Sequence, residues 1–122
     1  MCMLKLSSRL KASHDIVCYK VCICNADKIY SLHNNHFIWE LNKEYEAERA
    51  SPTRSKGNIF DGYFHSFDNI EYAKDLAAHS YWVKYAMVYK CIIPKGTYYY
   101  KGLHDDGRRG YASKKLKIVE EI

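Results

Sequence analysis

The run that most constrains the fold is residues 16–24, IVCYKVCIC, which is rich in β-branched residues and cysteines and contains neither glycine nor proline. This composition is typical of a β-strand. Both of its alternating faces are largely apolar, and a strand of this kind lies in the centre of a sheet or is covered on both sides. We therefore expect a sheet with packing against both faces of this strand.

Other strand candidates follow along the chain, separated by turn signals. In the last of them, Leu116 and Ile118 are predicted to point inward and Lys115 and Lys117 outward. The candidates are residues 28–32, 37–41, 62–67, 82–93, 97–101 and 114–120.

One helix has a clear start signal. Asp68-Asn69-Ile70-Glu71 fits a capping box, in which Asp68 accepts from the backbone and Glu71 reaches back. Ile70, Ala73 and Leu76 then recur at helical spacing. This pattern predicts a helix over about residues 69–80 that packs on the sheet through those three side chains.

Many strands and one clear helix predict an α+β fold with a mostly antiparallel, twisted sheet. The chain has 122 residues, so we expect a single compact domain spanning residues 1–122. Residues 1–14 are polar and basic with weak periodicity, which predicts either a short helix or a loose basic arm. Residues 49–58 (RASPTRSKGN) are the clearest loop in the chain.

The net charge of +5 is concentrated at the two ends of the chain. Residues 1–20 carry a net charge of +3 and residues 90–122 carry +4, whereas residues 21–89 carry −2. An anionic partner would therefore meet the termini. The alternative is that lysines on exposed strand faces keep a small domain soluble.

Tyrosine is the compositional outlier, at 12 residues against 4 Phe and 2 Trp. Near the C-terminus tyrosines alternate with basic residues, so that rings could stack on bases while cations neutralise phosphates. Tyrosine is equally typical of antiparallel strands and of protein interfaces, and both alternatives stay open. The predicted partner-binding residues are Tyr98, Tyr99, Tyr100, Lys101, Arg108, Arg109, Tyr111, Lys114, Lys115 and Lys117.

The cysteines and histidines predict no metal site, catalytic residue or cofactor. Five cysteines, an odd number, suit reduced thiols better than a disulfide framework. Cys18, Cys22 and Cys24 lack a second ligand pair, so buried core thiols are favoured over zinc. His65, in an aromatic strand ahead of the helix, is either a core histidine bonded to backbone or the centre of an active site.

No apolar run approaches the ~18–20 residues that a membrane span requires. Lys5, Arg9 and Lys11 interrupt the N-terminal apolar positions, so no signal peptide is predicted either. The expected location is the cytoplasm of a bacterial host, without membrane association.

Four segments form a recognisable layout: WELNKEYE at residues 39–46, GYFHSF at 62–67, IPKGT at 93–97 and YASKKLKI at 111–118. Over residues 28–122 this layout resembles a family of small uncharacterised bacteriophage and prophage proteins, in which a G-F-H-x-F element precedes a helix. The resemblance implies a phage or mobile-element origin and no assigned catalysis. IPKGT is also similar to a late strand of ADP-ribosyltransferase toxins, but Tyr111-Ala112-Ser113-Lys114 lacks the acids of their catalytic strand.

These observations predict a non-enzymatic binding protein from a phage or mobile element. It would inhibit a host nuclease, of the RNA-guided CRISPR type for example, through the basic tyrosine-rich C-terminal surface. The expected partner is a host protein, either a nuclease or a ribonucleoprotein, with RNA as a further candidate. The alternatives are an ADP-ribosyltransferase-like or metal-dependent enzyme centred on His65, and a passive structural or accessory phage protein.

Overall fold

The structure, a computed structural model, describes residues 3–31, 38–47, 58–59, 63–79, 85–104 and 107–122. Within these ranges the chain forms twelve strands and one helix. They are β1 (Met3–Lys5), β2 (Leu10–Lys11), β3 (Ile16–Asn25), β4 (Lys28–Ser31), β5 (Ile38–Trp39), β6 (Glu44–Glu46), β7 (Asn58–Ile59), β8 (Phe64–Phe67), α1 (Ile70–His79), β9 (Ala86–Ile93), β10 (Tyr98–His104), β11 (Arg109–Ser113) and β12 (Lys115–Glu121).

All the described strands belong to one sheet, and every strand pair in it is antiparallel. The main path runs β6-β12-β9-β3-β8-β11-β10-β1-β7, with β2 on β10 and β4 and β5 extending from β3. The predicted α+β fold, a mostly antiparallel sheet with one helix, is confirmed. The clearest predicted loop spans residues 49–58, and residues 49–57 of it lie outside the described residues.

Two strands that follow each other in the chain occupy separate places in the sheet. These strands are β11 and β12, which are separated only by Lys114. β11 pairs with β8 and β10, whereas β12 pairs with β9 and β6. Since β9, β3 and β8 lie between β12 and β11 along the path, this run contributes to two distant places in the sheet. The largest core cluster packs on one face of these strands, around Cys18, Trp39, Cys91 and Leu116.

The long strand β3 is covered on both faces, as its sequence predicts. Cys18 and Cys22 are fully buried in the main core. Val21, on the other face, packs with Phe67 and with Ala73 of α1 in a second cluster. The helix therefore covers the face of the sheet opposite the main core.

The helix begins at Ile70, within one residue of its predicted start. Asn69, not Asp68, provides the N-terminal cap, since Asn69 Oδ1 accepts the backbone N–H of Glu71 at 2.8 Å. The predicted role of Asp68 is wrong because its own backbone N–H donates to Arg109 O at 3.4 Å, which keeps it with the sheet. Ala73 is buried against the sheet as predicted.

The N-terminal residues are neither a short helix nor a loose arm within the described range. β1 and β2 both pair with one edge of β10, where Leu4 lies opposite Leu103 and Lys11 opposite Tyr98. Ala12 continues this pairing, because its N–H donates to Thr97 O at 2.9 Å. The open edge of β10 supplies backbone partners, which outweigh the weak periodicity of the N-terminal sequence.

Candidate interaction surface

The tyrosines of the predicted partner-binding set serve different purposes in β10 and β11. Tyr100 is 6% exposed and its ring meets Tyr63 edge-on at a centroid distance of 5.7 Å. The rings of Tyr99 and Tyr111 meet in the same way at 5.8 Å, and both residues are half-buried. Tyr98 differs, because 45% of it remains exposed. Packing therefore accounts for three of the four rings.

Two of the predicted cations are engaged within the fold. The guanidinium of Arg108 forms an ion pair with Asp75 of α1, and only 18% of the Arg108 side chain is exposed. Lys114 Nζ donates to the backbone carbonyl of Ala47. Replacing either side chain would therefore break a contact of the folded state.

Lys115 and Lys117 lie on β12, which pairs with β6 and β9 and not with β10. In the antiparallel pairing with β6, Lys115 stands opposite Glu46 and Lys117 opposite Glu44. Opposite charges at such positions attract each other across the strands. The ten predicted residues are thus divided between two regions of the sheet, and the exposed cations left beside β10 are Lys101 on β10 itself and Arg109 on β11.

The exposed ring of Tyr98 instead meets cations from the other end of the chain. The pairing of β2 with β10 places Lys11 opposite Tyr98. The Cζ atom of Arg9 lies 4.4 Å from the centroid of the Tyr98 ring, and Lys11 Nζ lies 5.9 Å from it. Both distances are within the range of cation–π attraction. We call Arg9, Lys11 and Tyr98 the Tyr98 surface.

The charge of Arg9 also acts on a neighbouring ring. Burial and the adjacent Tyr100 raise the pKa of Tyr63, and the positive charge of Arg9 acts in the opposite direction. The charge of Arg9 therefore acts on Tyr63 as well as on the ring of Tyr98.

The cations of the Tyr98 surface have no acidic partner among the described residues. The ion pairs within 4.0 Å in those ranges are Lys43–Glu40, His79–Asp75, Lys90–Glu120 and Arg108–Asp75. Arg9 and Lys11 belong to none of them, and both are exposed. Lys95 and Lys101, which flank Tyr98 in sequence, are exposed too. The surface is therefore positively charged and open to solvent.

Sequence reasoning missed Arg9 and Lys11 as members of a site with Tyr98. The available signal was the charge distribution, which puts the positive surplus at both termini. The missing information was the pairing of β2 with β10, a contact between residues almost ninety positions apart.

The histidine of the alternative enzyme prediction lies beside a second histidine. The rings of His65 and His104 are 6.0 Å apart, and the backbone carbonyl of His65 accepts Lys20 Nζ at 2.8 Å. His104 is buried, and its Nε2 atom lies 3.3 Å from the backbone carbonyl oxygen of Ser66. Among the described residues, no three His, Cys, Asp or Glu side chains are grouped as a metal ion would require.

Of the cysteines in the described residues, Cys18, Cys22 and Cys91 belong to the core, and Cys24, which was also predicted there, is only partly buried. Cys18 and Cys91 lie directly opposite each other on β3 and β9, and both are fully buried with Cys22. Burial raises the pKa of the Cys22 thiol to about 12. Hydrogen bonding with Cys18, together with burial, raises the pKa of Cys91 well above its usual value. The thiols of Cys22 and Cys91 are therefore held in the protonated, unreactive form, whereas, against the effect of burial, hydrogen bonds with Cys91 and Ser66 lower the pKa of Cys18.

No protein-family model, curated protein or solved structure matches the chain. No helix in the described ranges has the length and apolar character that crossing a membrane demands.

Proposed function

We propose that this chain is a non-catalytic binding protein that captures an anionic macromolecular partner through the Tyr98 surface. The observation that carries the proposal is the convergence of Arg9 and Lys11 on the exposed ring of Tyr98, with no acidic side chain in the described residues pairing with either cation. Two unpaired cations beside an exposed aromatic ring offer charge and contact area at the same place.

The backbone beneath the Tyr98 surface supports binding without rearrangement of the strands. Lys114 N–H donates to the carbonyl of Tyr98 at 3.0 Å, and β2 holds the opposite side of the same strand. A surface whose backbone is already fixed loses little conformational entropy when a partner docks. Its positive charge would also speed the encounter with a negatively charged partner.

As the partner we propose a host nuclease of the RNA-guided type, a ribonucleoprotein, and as the source of the chain a phage or mobile element. Two points support this choice. The resemblance over residues 28–122 is to small phage and prophage proteins, and a ribonucleoprotein presents phosphates that a cationic surface attracts. Occupation of those phosphates would compete with the nucleic acid that the nuclease must engage.

The experiment is plasmid interference in a panel of bacterial strains, each with one type of RNA-guided nuclease programmed against a plasmid. The wild-type protein is expected to restore transformation in at least one strain, and Arg9→Gln/Lys11→Gln is expected to lose this effect. Lys28→Gln/Lys74→Gln is the matched control, since both lysines are exposed on other elements and the net charge changes equally. Failure of the wild type in every strain would refute the nuclease as partner.

A further inference from the structure

We infer that the Tyr98 surface binds single-stranded nucleic acid directly, with one base stacked on the ring of Tyr98 and neighbouring phosphates on Arg9 and Lys11. This inference rests on the proposed function, because it names the chemistry that the same surface recognises in its partner. It concerns contact with the nucleic acid itself rather than with a protein surface.

The ring of Tyr98 is available for stacking. The residue as a whole remains 45% exposed, and Arg9 lies over its ring with Cζ 4.4 Å from the centroid. A guanidinium over one face of an aromatic ring is itself a planar group on which a base can stack, and it keeps N–H groups for a phosphate. Stacking is tolerant of sequence because every base has a flat aromatic face.

The combination of ring and cations favours a single strand over a duplex. Bases within a duplex are stacked on one another, so an exposed tyrosine finds a partner only where bases are unpaired. The phosphates of a duplex could contact Arg9 and Lys11, but its paired bases could not stack on Tyr98.

An acidic protein surface fits the same place less well. Carboxylates would pair with Arg9 and Lys11, but nothing in such a contact requires an exposed aromatic ring between them. A nucleotide uses both features, since it joins an anionic phosphate to an aromatic base. Binding that depends on Tyr98 therefore distinguishes a nucleic acid from an acidic protein surface.

The test measures fluorescence anisotropy of labelled oligouridylate of about ten nucleotides, a length within the range that one small domain covers. The wild-type protein is expected to bind, and Tyr98→Ala to weaken the affinity by about tenfold or more, which corresponds to the loss of one stacked base. Tyr98→Phe is expected to keep the affinity. Tyr85→Ala, which removes another exposed tyrosine (39% exposed), is the control and should bind like the wild type.

Charge is tested separately with Arg9→Gln/Lys11→Gln against the control Lys28→Gln/Lys74→Gln. With two or three phosphates neutralised, log Kobs should fall with log salt at a slope of about −1.4 to −2.1 for a single strand. The Arg9/Lys11 variant should bind more weakly and show a shallower slope, whereas the control should keep the slope of the wild type. Circular dichroism of each variant shows that the fold is retained.

Three outcomes would overturn the inference: no binding of oligouridylate at about 50 mM salt, equal binding by wild type and Tyr98→Ala, or tighter binding of an oligoglutamate peptide than of oligouridylate. Each is separable from failure of the proposed function. Nuclease inhibition that depends on Arg9 and Lys11 without oligonucleotide binding would leave the proposed function standing. Oligonucleotide binding without inhibition in any strain would refute the nuclease partner alone.

Discussion

Two regions of the sheet carry closely spaced cations and differ in what lies beside them. On β12, Lys115 and Lys117 stand opposite Glu46 and Glu44 of β6. On the β2 edge, Arg9 and Lys11 surround the exposed ring of Tyr98. In the first region the neighbouring strand supplies the counter-charges, and in the second it supplies an aromatic ring.

The difference shows that strand register decides whether the cations of a stretch of sequence face acidic side chains or an aromatic ring. Opposite charges that face each other across two strands contribute about 0.2–1 kcal/mol to folding. Glu46 and Glu44 therefore offset part of the charge of Lys115 and Lys117 by their register, although neither lysine forms an ion pair within 4.0 Å among the described residues. The Tyr98 surface has no such neighbour among the described residues, and its positive potential is available to a partner.

The largest expected effect separates the structural tyrosine of β10 from the exposed one. Tyr100→Ala should lower the free energy of unfolding by about 3 kcal/mol, because it removes a buried ring that packs against Tyr63. Tyr98→Ala should change it much less, by about 0.5 kcal/mol, since Tyr98 is 45% exposed and outside the core clusters. Urea unfolding followed by circular dichroism measures both values.

Tyr100→Phe serves as the control for this pair of variants, because it keeps the ring and removes only the hydroxyl group. It should stay closer to the wild type than Tyr100→Ala does. Equal losses from Tyr98→Ala and Tyr100→Ala would contradict the division of the strand into a packed and an exposed ring.

The longer strands and the helix were predictable from local patterns, whereas β1, β2, β6, β7, β11 and the Tyr98 surface were not. The alternation in residues 114–120 placed Leu116 and Ile118 inward, and both are fully buried. The spacing behind Asn69 predicted the helix and its buried Ala73. Such signals depend on neighbours a few residues apart in the chain.

The pairing partners of each strand depend on contacts between distant residues, which periodicity does not encode. β2 is too short and polar to show a strand pattern, so its place on β10 could not be predicted from the sequence. The need for glycine at position 110 also depends on a residue that is distant in the sequence. A Cβ there would lie 2.0 Å from the carbonyl oxygen of Ser66, an approach that only the assembled β8–β11 pair reveals.

A middle-sized effect is expected when the acids beside β12 are reversed. Glu44→Lys/Glu46→Lys places lysines opposite Lys117 and Lys115 and should lower the free energy of unfolding by about 1 kcal/mol, because like charges then face each other across the strands. The loss should shrink between about 0.1 and 1 M salt, as the repulsion is screened. Urea unfolding at the two salt concentrations measures it.

The matched control for this reversal is Glu71→Lys/Glu121→Lys, which changes the net charge equally at exposed positions without an ion pair among the described residues. It should cost less stability and depend less on salt. The same loss in both variants would mean that net charge, and not the register of β12 with β6, sets the effect.

The smallest expected effect concerns Arg108, a cation from the predicted binding set that the fold already uses. The hydrogen bond from Arg108, aided by its charge and by His79, lowers the pKa of the exposed Asp75 carboxyl. A carboxyl whose pKa is lower in the folded state contributes stability above its unfolded pKa of about 3.9, and that contribution disappears as pH falls through the folded pKa. Asp75→Asn should therefore be slightly less stable than the wild type at neutral pH, and the difference should vanish well below about pH 3.9.

Urea unfolding at neutral and at acidic pH measures this difference in stability. The control is Glu121→Gln, which replaces another exposed carboxylate and whose difference from the wild type should not vanish in acid in this way. A difference that persists unchanged in acid would mean that Asp75 stabilises α1 by something other than its charge on Arg108.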